Sequence, residues 1–444
     1  MDLTTHWVGF AAIAVFVLAY SLVIAEEFTH LRKSVSVIFG AGVIWAIIAQ
    51  QYVAGGMTHE AEEAVREFLV EFAELFLFLL AAMTYVNSMS ERGVFEALRS
   101  WLVHHRFTYR QLFWITGIIS FFLSPVIDNL TTALVMGAVV LAVGKNNKRF
   151  ISLACVNIVV AANAGGAFSP FGDITTLMVW QKGLVEFGTF FALFIPSVVN
   201  YLIPAVVMSF AVGKEKPSVA GEQVVMKRGA KRIIFLFICT IATAVSFHNF
   251  LHLPPFLGMM TGLAYLKLFG HYLNRTHVPT AADSAQYGQA GDVQAFDSFR
   301  EVARAEWDTL LFFFGVIMCV GGLGFIGYLN LMSSFLYIEM GPTFANTMVG
   351  ILSAIVDNIP VMVAVLQMNP VMDMTQWLLV TLTAGVGGSM LSIGSAAGVA
   401  LMGQARGQYT FFGHMKWTPV IAVGYAASIW IHLIVNSSYD GVMP

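Results

Sequence analysis

Two Asp-Asn dipeptides interrupt long apolar stretches of this chain. Asp128-Asn129 lies in FFLSPVIDNLTTALVMGAVVLAVG, and Asp357-Asn358 lies in GILSAIVDNIPVMVAVLQM. A carboxylate at membrane depth costs several kcal/mol, so it is rarely found there without a function. The same pair at matching places in two halves of one chain predicts an internal repeat with a polar site near the middle of the membrane.

The composition places the whole chain in a membrane. Of its 444 residues, 58% are hydrophobic and 11% are charged, whereas a soluble domain carries about 25% charged residues. Many windows of roughly 20 apolar residues follow one another, each long enough to cross the bilayer. The net charge of −3 excludes a nucleic-acid partner. Cys155, Cys239 and Cys319 fall within apolar spans and are predicted to be buried hydrophobic residues. We predict an all-α polytopic protein surrounded by lipid.

Two apolar segments differ from the other spans. Residues 110–144 and 343–368 each contain an Asp-Asn pair near the middle, with Pro125 or Pro360 close by. Each half covers about 12–16 residues, too short to cross at about 1.5 Å per residue, so both segments are predicted to be re-entrant hairpins. The ten predicted spans are 7–25, 34–53, 68–89, 149–182, 187–212, 231–250, 254–272, 308–328, 374–405 and 417–437.

Spans 149–182 and 374–405 are interrupted by glycines and polar residues and are predicted to be broken helices. Aligning Gly165-Gly166 with Gly387-Gly388 places Asp173 on Ser395. A hairpin followed by a broken helix therefore occurs twice, in the same order. We predict two inverted repeats, each with five transmembrane helices plus a re-entrant hairpin and one broken helix. The predicted boundaries are 1–213 for the first repeat, 214–230 for a cytoplasmic linker and 231–444 for the second repeat.

The basic residues predict the orientation. Five spans in each half make the second half inverted relative to the first. With the N-terminus outside, every Lys and Arg except Arg66 and Lys182 falls on the inner side. This distribution agrees with the positive-inside rule. Both termini are therefore predicted to lie outside the cytoplasm.

Oxygen-bearing side chains gather at the hairpin tips and the helix breaks. Hard cations bind several oxygens at once, from carboxylates, amides, hydroxyls and free backbone carbonyls. Three carboxylates lie near the predicted midplane, where desolvation and neighbouring like charges favour the protonated form. Protons and Na⁺ can therefore compete for Asp128, Asp173 and Asp357. The candidate ligands are Asp128, Asn129, Thr131, Thr132, Ser169, Asp173, Thr175, Thr176, Asp357, Asn358, Ser389, Ser392 and Ser395.

Some of these residues have an alternative structural role. An Asp or Asn just before a half-helix is a good N-cap, so capping and ion binding are both open for Asn129 and Asn358. The Ser and Thr hydroxyls can bond back to their own helices. In the last span, His432 and Asn436 are predicted to form a polar pair that faces the helix bundle.

At these residues the chain resembles the ion transporter superfamily, which includes arsenite and dicarboxylate carriers. Those carriers have Ser-Asn-Thr at both hairpin tips, whereas this chain has Asp128-Asn129-Leu-Thr131 and Asp357-Asn358-Ile-Pro360. The aspartates favour a cation, and Pro360 makes the two tips chemically unequal. Over nearly its whole length the chain is similar to the NhaD-type Na⁺/H⁺ antiporters. The segments SPVIDNLTTALVMG, FSPFGDITTLMVWQ and GGSMLSIGSAAGVALMGQARG carry this match.

The resemblance implies a transporter of the bacterial inner membrane. We expect no enzymatic activity and no cofactor, and the basic residues predict that both termini are periplasmic. It implies exchange of Na⁺ or Li⁺ for H⁺ by alternating access, in a homodimer. Spans one to three and six to eight would form a scaffold, and the hairpins, the broken helices and the span after each would move as an elevator. An anion carrier of the same fold, for arsenite or a carboxylate, is the main alternative. The absence of Lys and Arg from both tips and both breaks argues against an anion carrier. A passive channel and an intramembrane aspartyl protease are further alternatives, and the protease dyad has no place in an inverted repeat.

Overall fold

The computed structural model describes residues 1–29, 31–105, 107–144, 147–217, 224–276 and 296–444. These residues form helices, turns and loops, and none of them forms a β-strand. Part of the predicted linker 214–230 lies outside the described residues.

Apolar helices dominate the first half of the chain. Both halves together contain nine helices, among the described residues, that are long and apolar enough to cross a membrane. This is therefore a multi-pass membrane protein. The helices up to residue 210 are α1 (Trp7–Ile24), α2 (Glu26–Thr29), α3 (Lys33–Ala54), α4 (Glu60–Glu91), α5 (Val94–His104), α6 (Tyr109–Ile127), α7 (Asn129–Val143), α8 (Lys148–Gly166), α9 (Ile174–Gln181) and α10 (Phe194–Phe210), with a 3₁₀ turn at Thr189–Leu193.

The second half has a similar succession of long and short helices. Some of its shorter helices flank the second Asp-Asn pair and the second glycine pair. The helices are α11 (Ala230–Leu251), α12 (Pro255–Arg275), α13 (Ser298–Ala303), α14 (Trp307–Phe325), α15 (Tyr328–Ser333), α16 (Pro342–Ser353), α17 (Asn358–Met368), α18 (Met374–Gly387), α19 (Ala396–Gln404), α20 (Phe411–Met415) and α21 (Thr418–Val435), with a π-helical turn at Ser334–Glu339 and a 3₁₀ turn at Ser437–Tyr439.

The helices around the two Asp-Asn pairs differ in length. Helices α7, α16 and α17 have 15, 12 and 11 residues, but α6 has 19 and is long enough to cross. The prediction of about 12–16 residues for each half is therefore wrong for α6, which reaches roughly 28 Å. A capping box formed by Thr108 and Gln111 begins the helix one residue before the predicted segment, and Pro125 lies in its last turn without ending it.

A polar residue stands at each point where the hairpins and the broken helices are interrupted. Asp128 separates α6 from α7 with a φ of 72°, which few residues other than glycine adopt. Asp357 is the N-cap of α17, Asp173 is the N-cap of α9 and Ser395 is the N-cap of α19. Four half-helices therefore begin next to residues that the sequence singled out.

The chain divides into two compact units, each containing residues from both halves of the sequence. The first unit comprises Met1–Phe72, Arg99–Glu222 and Leu311–Pro444, and it contains all the candidate site residues. The second comprises Ala73–Leu98 and Gln223–Leu310. In the second unit, the buried Tyr85 hydroxyl donates to Gly262 O at 2.7 Å.

Two glycines allow helices in the first unit to touch through their backbones. A Cβ on Gly165 would lie 2.1 Å from Phe121 O, and a Cβ on Gly387 would lie 2.1 Å from Gly350 O. Both distances are far below van der Waals contact. Helix α8 therefore packs directly on α6, and α18 packs directly on α16, and neither approach leaves room for a methyl group.

Gly387→Ala is expected to destabilise the protein by about 1–3 kcal/mol because the methyl group would force α18 away from α16. The melting temperature of the purified protein in detergent measures this effect. Gly42→Ala is the matched control, since its Cβ would meet nothing within 4 Å. We expect no loss of stability there, and equal melting temperatures for the two variants would contradict the close approach.

Candidate functional site

Asp173 lies at the centre of a buried hydrogen-bonded cluster. Its Oδ2 accepts from Asn129 Nδ2 at 2.8 Å and from Asn358 Nδ2 at 2.9 Å. Its Oδ1 caps α9 by accepting from Thr175 N at 3.2 Å. The side chains of Asp173, Asn129 and Asn358 are all buried. One carboxylate in the first helix break thus joins the two tips that the sequence identified separately.

Asn163 extends the cluster to the second helix break. Its Oδ1 accepts from Asn129 Nδ2 at 3.1 Å, and its Nδ2 donates to Ser395 Oγ at 3.0 Å and to Val159 O at 3.0 Å. The sequence analysis did not include Asn163 among the candidate ligands. The side chain of Asn163 is fully buried. An amide residue within an apolar helix is a sequence signal of the same kind as the Asp-Asn pairs, so Asn163 could have been found from the sequence.

The two tip asparagines do not act as N-caps. Asn129 and Asn358 are the first residues of α7 and α17, and both side chains donate to Asp173. Asp128 occupies the N-cap position of α7, and Ser395 Oγ caps α19 by accepting from Gly398 N at 3.4 Å. The alternative of capping, which the sequence left open for the two asparagines, is therefore wrong.

The two tip aspartates have different surroundings. Asp128 Oδ1 accepts from Thr131 N at 2.7 Å, and its Oδ2 accepts from Thr131 Oγ1 at 3.0 Å. Asp357 makes no capping bond, and its Oδ1 is buried without a hydrogen-bond partner. Pro360 occupies the position that corresponds to Thr131, and proline has neither an N–H nor a hydroxyl to donate. The second tip therefore keeps a carboxylate oxygen available for a ligand.

Five of the candidate hydroxyls fall into two groups. Thr132 Oγ1 and Ser392 Oγ are buried without a hydrogen-bond partner, and an unpaired buried polar atom is costly unless a ligand or water satisfies it. The other group donates to backbone carbonyls and so stabilises the breaks themselves. These bonds run from Ser169 Oγ to Pro125 O at 2.9 Å, from Thr176 Oγ1 to Ser169 O at 2.8 Å and from Ser389 Oγ to Val386 O at 2.7 Å.

The three aspartates do not form one joint set of metal ligands. Among the residues that the structure describes, no three His, Cys, Asp or Glu side chains come together to hold a metal ion. The binding of Na⁺ at Asp128, Asp173 and Asp357 stays a prediction. A cation at this site would need amide, hydroxyl and backbone carbonyl oxygens besides a carboxylate.

A buried polar site built from half-helices, inside a multi-pass helical protein, defines a membrane transporter with discontinuous helices. The family model described as "Citrate transporter" matches residues 4–385. The chain is 59% identical to the Na⁺/H⁺ antiporter NhaD of Alkalimonas amylolytica, over 98% of this chain and 92% of that protein. It is 56% identical to the NhaD of Vibrio cholerae, over 98% and 94%. It is 30% identical to sodium/proton antiporter 1 of Arabidopsis thaliana, over 95% and 72%. The chain belongs to the NhaD family of Na⁺/H⁺ antiporters, and it is therefore a transporter and not an enzyme.

Proposed function

We propose that this protein exchanges Na⁺ or Li⁺ for H⁺ across the bacterial inner membrane by alternating access. Relatives that are 56–59% identical are named Na⁺/H⁺ antiporters. The single observation that carries the mechanism is the Oδ1 atom of Asp357, which is buried without a hydrogen-bond partner. Asp357 directly precedes Asn358, whose side-chain amide donates to Asp173.

A buried carboxylate oxygen that has no hydrogen-bond partner favours a positive partner, because removing it from water is costly. A cation supplies that partner when Asp357 binds it together with other oxygens, for which the unpaired Ser392 and Thr132 hydroxyls are candidates. A proton supplies it by neutralising the carboxyl group. Because both satisfy the same oxygen, binding of one displaces the other. Asp173 holds the two tips together through its amide bonds, and Asp128 contributes a third charge, held by Thr131.

The proposed inverted repeats, 1–213 and 231–444 with re-entrant hairpins, are supported by matching hydrogen bonds. Ser124 Oγ donates to Ala162 O at 2.7 Å, and Ser353 Oγ donates to Ala384 O at 2.8 Å. The same number of positions separates Ser124 from Ser353 as separates the two tip aspartates.

Backbone geometry supports the same repeat. Asp173 has φ −146° and ψ 151°, and its aligned residue Ser395 has φ −146° and ψ 150°. The close contacts of Gly165 and Gly387 are also aligned with each other. Two equivalent half-structures of opposite orientation would allow one site to be reached from either side of the membrane.

The orientation and assembly belong to the same proposal. We propose that both termini are periplasmic. In this orientation every Lys and Arg except Arg66 and Lys182 lies on the cytoplasmic side, as the positive-inside rule expects. The homodimer, with a scaffold and an elevator-like moving part, rests on the resemblance to the NhaD family.

The main alternative is transport of an anion, which the description of the matching family model favours. Helix N-termini attract anions, and four of them begin in this site. Aspartates already stand at three of those N-termini, at Asp128, Asp173 and Asp357. Neither the tips nor the breaks contain a Lys or Arg. An anionic substrate would therefore meet fixed negative charge at three of the four N-termini, and no basic residue of the tips or breaks would offset it.

Proteoliposomes with a pH-sensitive dye test the proposed function. After a proton gradient is imposed, pulses of Na⁺ or Li⁺ are expected to dissipate it, because cation binding releases protons from the site. Equal pulses of citrate are expected to have no effect. A response to citrate with none to any cation would overturn the proposal and support the anion carrier.

A further inference from the structure

A buried histidine outside the long helices is bonded to the second helix break. His414 in α20 has no solvent exposure, and its Nε2 lies 2.9 Å from Ser389 O. Its Nδ1 lies 2.6 Å from the hydroxyl of Tyr409, which is also buried. A carbonyl only accepts, so Nε2 carries the proton and Nδ1 accepts from tyrosine. Burial lowers the pKa of His414 to about 4, which keeps the imidazole neutral.

A second bond from the same segment holds the next residue of the break. Thr418 Oγ1 donates to Met390 O at 2.7 Å. Two consecutive carbonyls that follow the end of α18 are thus held by side chains from beyond α19. We call Tyr409, His414 and Thr418 the brace.

The first helix break needs no such brace because its own hydroxyls hold it. Ser169 Oγ donates to Pro125 O, and Thr176 Oγ1 donates to Ser169 O. The aligned positions in the second break are Leu391 and Gly398, which have no hydroxyl. Within the second break, Ser389 Oγ holds Val386 O, but the carbonyls of Ser389 and Met390 are held by side chains from beyond α19.

We propose that His414 is a positioning residue for cation binding. By fixing Ser389 and Met390, the brace holds the unwound segment that carries Ser392 and Ser395. Ser395 accepts from Asn163, which is bonded to Asn129, so the brace connects to the Asp173 cluster. This inference rests on the proposed function, and it adds a residue that touches neither ion.

His414→Ala is expected to raise the half-saturating Na⁺ concentration of exchange about 10-fold, since a lost buried hydrogen bond costs on this scale. His414→Gln, whose amide N–H can reach the same carbonyl, should restore that concentration to within about 3-fold of the wild type. Thr418→Val, which keeps the shape of the side chain, should raise it about 3-fold. Thr418→Val also serves if His414→Ala fails to fold.

His432→Ala is the matched control. His432 is a fully buried imidazole whose Nε2 lies 3.0 Å from Thr375 O, at the opposite end of α18 from the break. Its Nδ1 accepts from Asn436, so it forms the bundle-facing pair that the sequence predicts. We expect this variant to melt at a lower temperature while its half-saturating Na⁺ concentration stays within about 2-fold of the wild type.

The outcomes separate the inference from the proposed function. If His414→Ala and Thr418→Val melt at lower temperatures with unchanged half-saturating Na⁺, the brace is only structural and the inference is overturned. The same holds if His414→Gln is as impaired as His414→Ala. A wild-type protein that exchanges no cation at all would instead refute the proposed function.

Discussion

Asp173→Asn is expected to reduce the rate of Na⁺/H⁺ exchange by more than about 100-fold, equivalent to roughly 3 kcal/mol. The Asp173 carboxylate accepts from two side-chain amides on one oxygen and from Thr175 N on the other. Asparagine has a single acceptor oxygen. Its own N–H groups must then face either the amides of Asn129 and Asn358 or the backbone N–H that begins α9. The variant also lacks the negative charge, so both the geometry and the electrostatics of the site change.

Exchange in proteoliposomes measures this effect, with Asp373→Asn as the matched control. Asp373 also caps a helix with both oxygens occupied, accepting from Gln376 N at 2.9 Å and from Gly441 N at 3.1 Å. It is not part of the Asp173 cluster, so we expect exchange within about 2-fold of the wild type. Full exchange by Asp173→Asn would refute the central role of this carboxylate, and equal loss in both variants would indicate a general effect of uncapping a helix.

Asp357→Asn is expected to abolish both exchange and the stabilisation that Na⁺ gives to the purified protein. A ligand at 100 times its Kd stabilises the folded state by about 2.7 kcal/mol, and this gain requires the carboxylate. Without Na⁺, the variant should be at least as stable as the wild type, because it no longer buries a charged carboxylate with one oxygen left without a hydrogen-bond partner. Melting temperatures in NaCl and in choline chloride of equal ionic strength measure both effects.

Asp128→Asn is the companion variant for Asp357→Asn. Asparagine keeps the shape of the side chain, but the change removes one of the two acceptors that Thr131 uses. We expect Asp128→Asn to have a lower melting temperature than the wild type in either salt. In choline chloride, Asp357→Asn should instead melt at the wild-type temperature or above it. If Asp357→Asn also melts below the wild type without Na⁺, its carboxylate has a stabilising partner and the proposed cation ligand is wrong.

The sequence located the helix interruptions because a carboxylate or a glycine pair stands out within apolar residues. Helix ends at Asp128, Asp173, Asp357 and Ser395 could all be anticipated for that reason. The length of α6 was misjudged because the helix continues through Pro125 to Ile127, and a sequence does not show whether a helix tolerates a proline in its last turn.

The partners of the site residues were harder to predict. Asp173 and Asn358 are distant in sequence, so only the packing of α9 against α17 determines that they meet. Asn163 and His414 are single polar residues whose roles depend on carbonyls and amides of other segments. The missing donor at Pro360 is different, because its chemical consequence can be read directly from the residue type.

The missing donor at Pro360 also bears on how tightly the two ion flows are coupled. A carrier that reorients with Asp357 neither protonated nor bound to a cation would carry a bare charge through the apolar barrier, at a cost of several kcal/mol. If the residue three positions on also donated to the unpaired Oδ1, as Thr131 does to Asp128, the penalty would shrink and unproductive return steps would become faster. A proline at this position therefore acts against slippage, so that the Na⁺ gradient and the proton gradient are not dissipated without exchange.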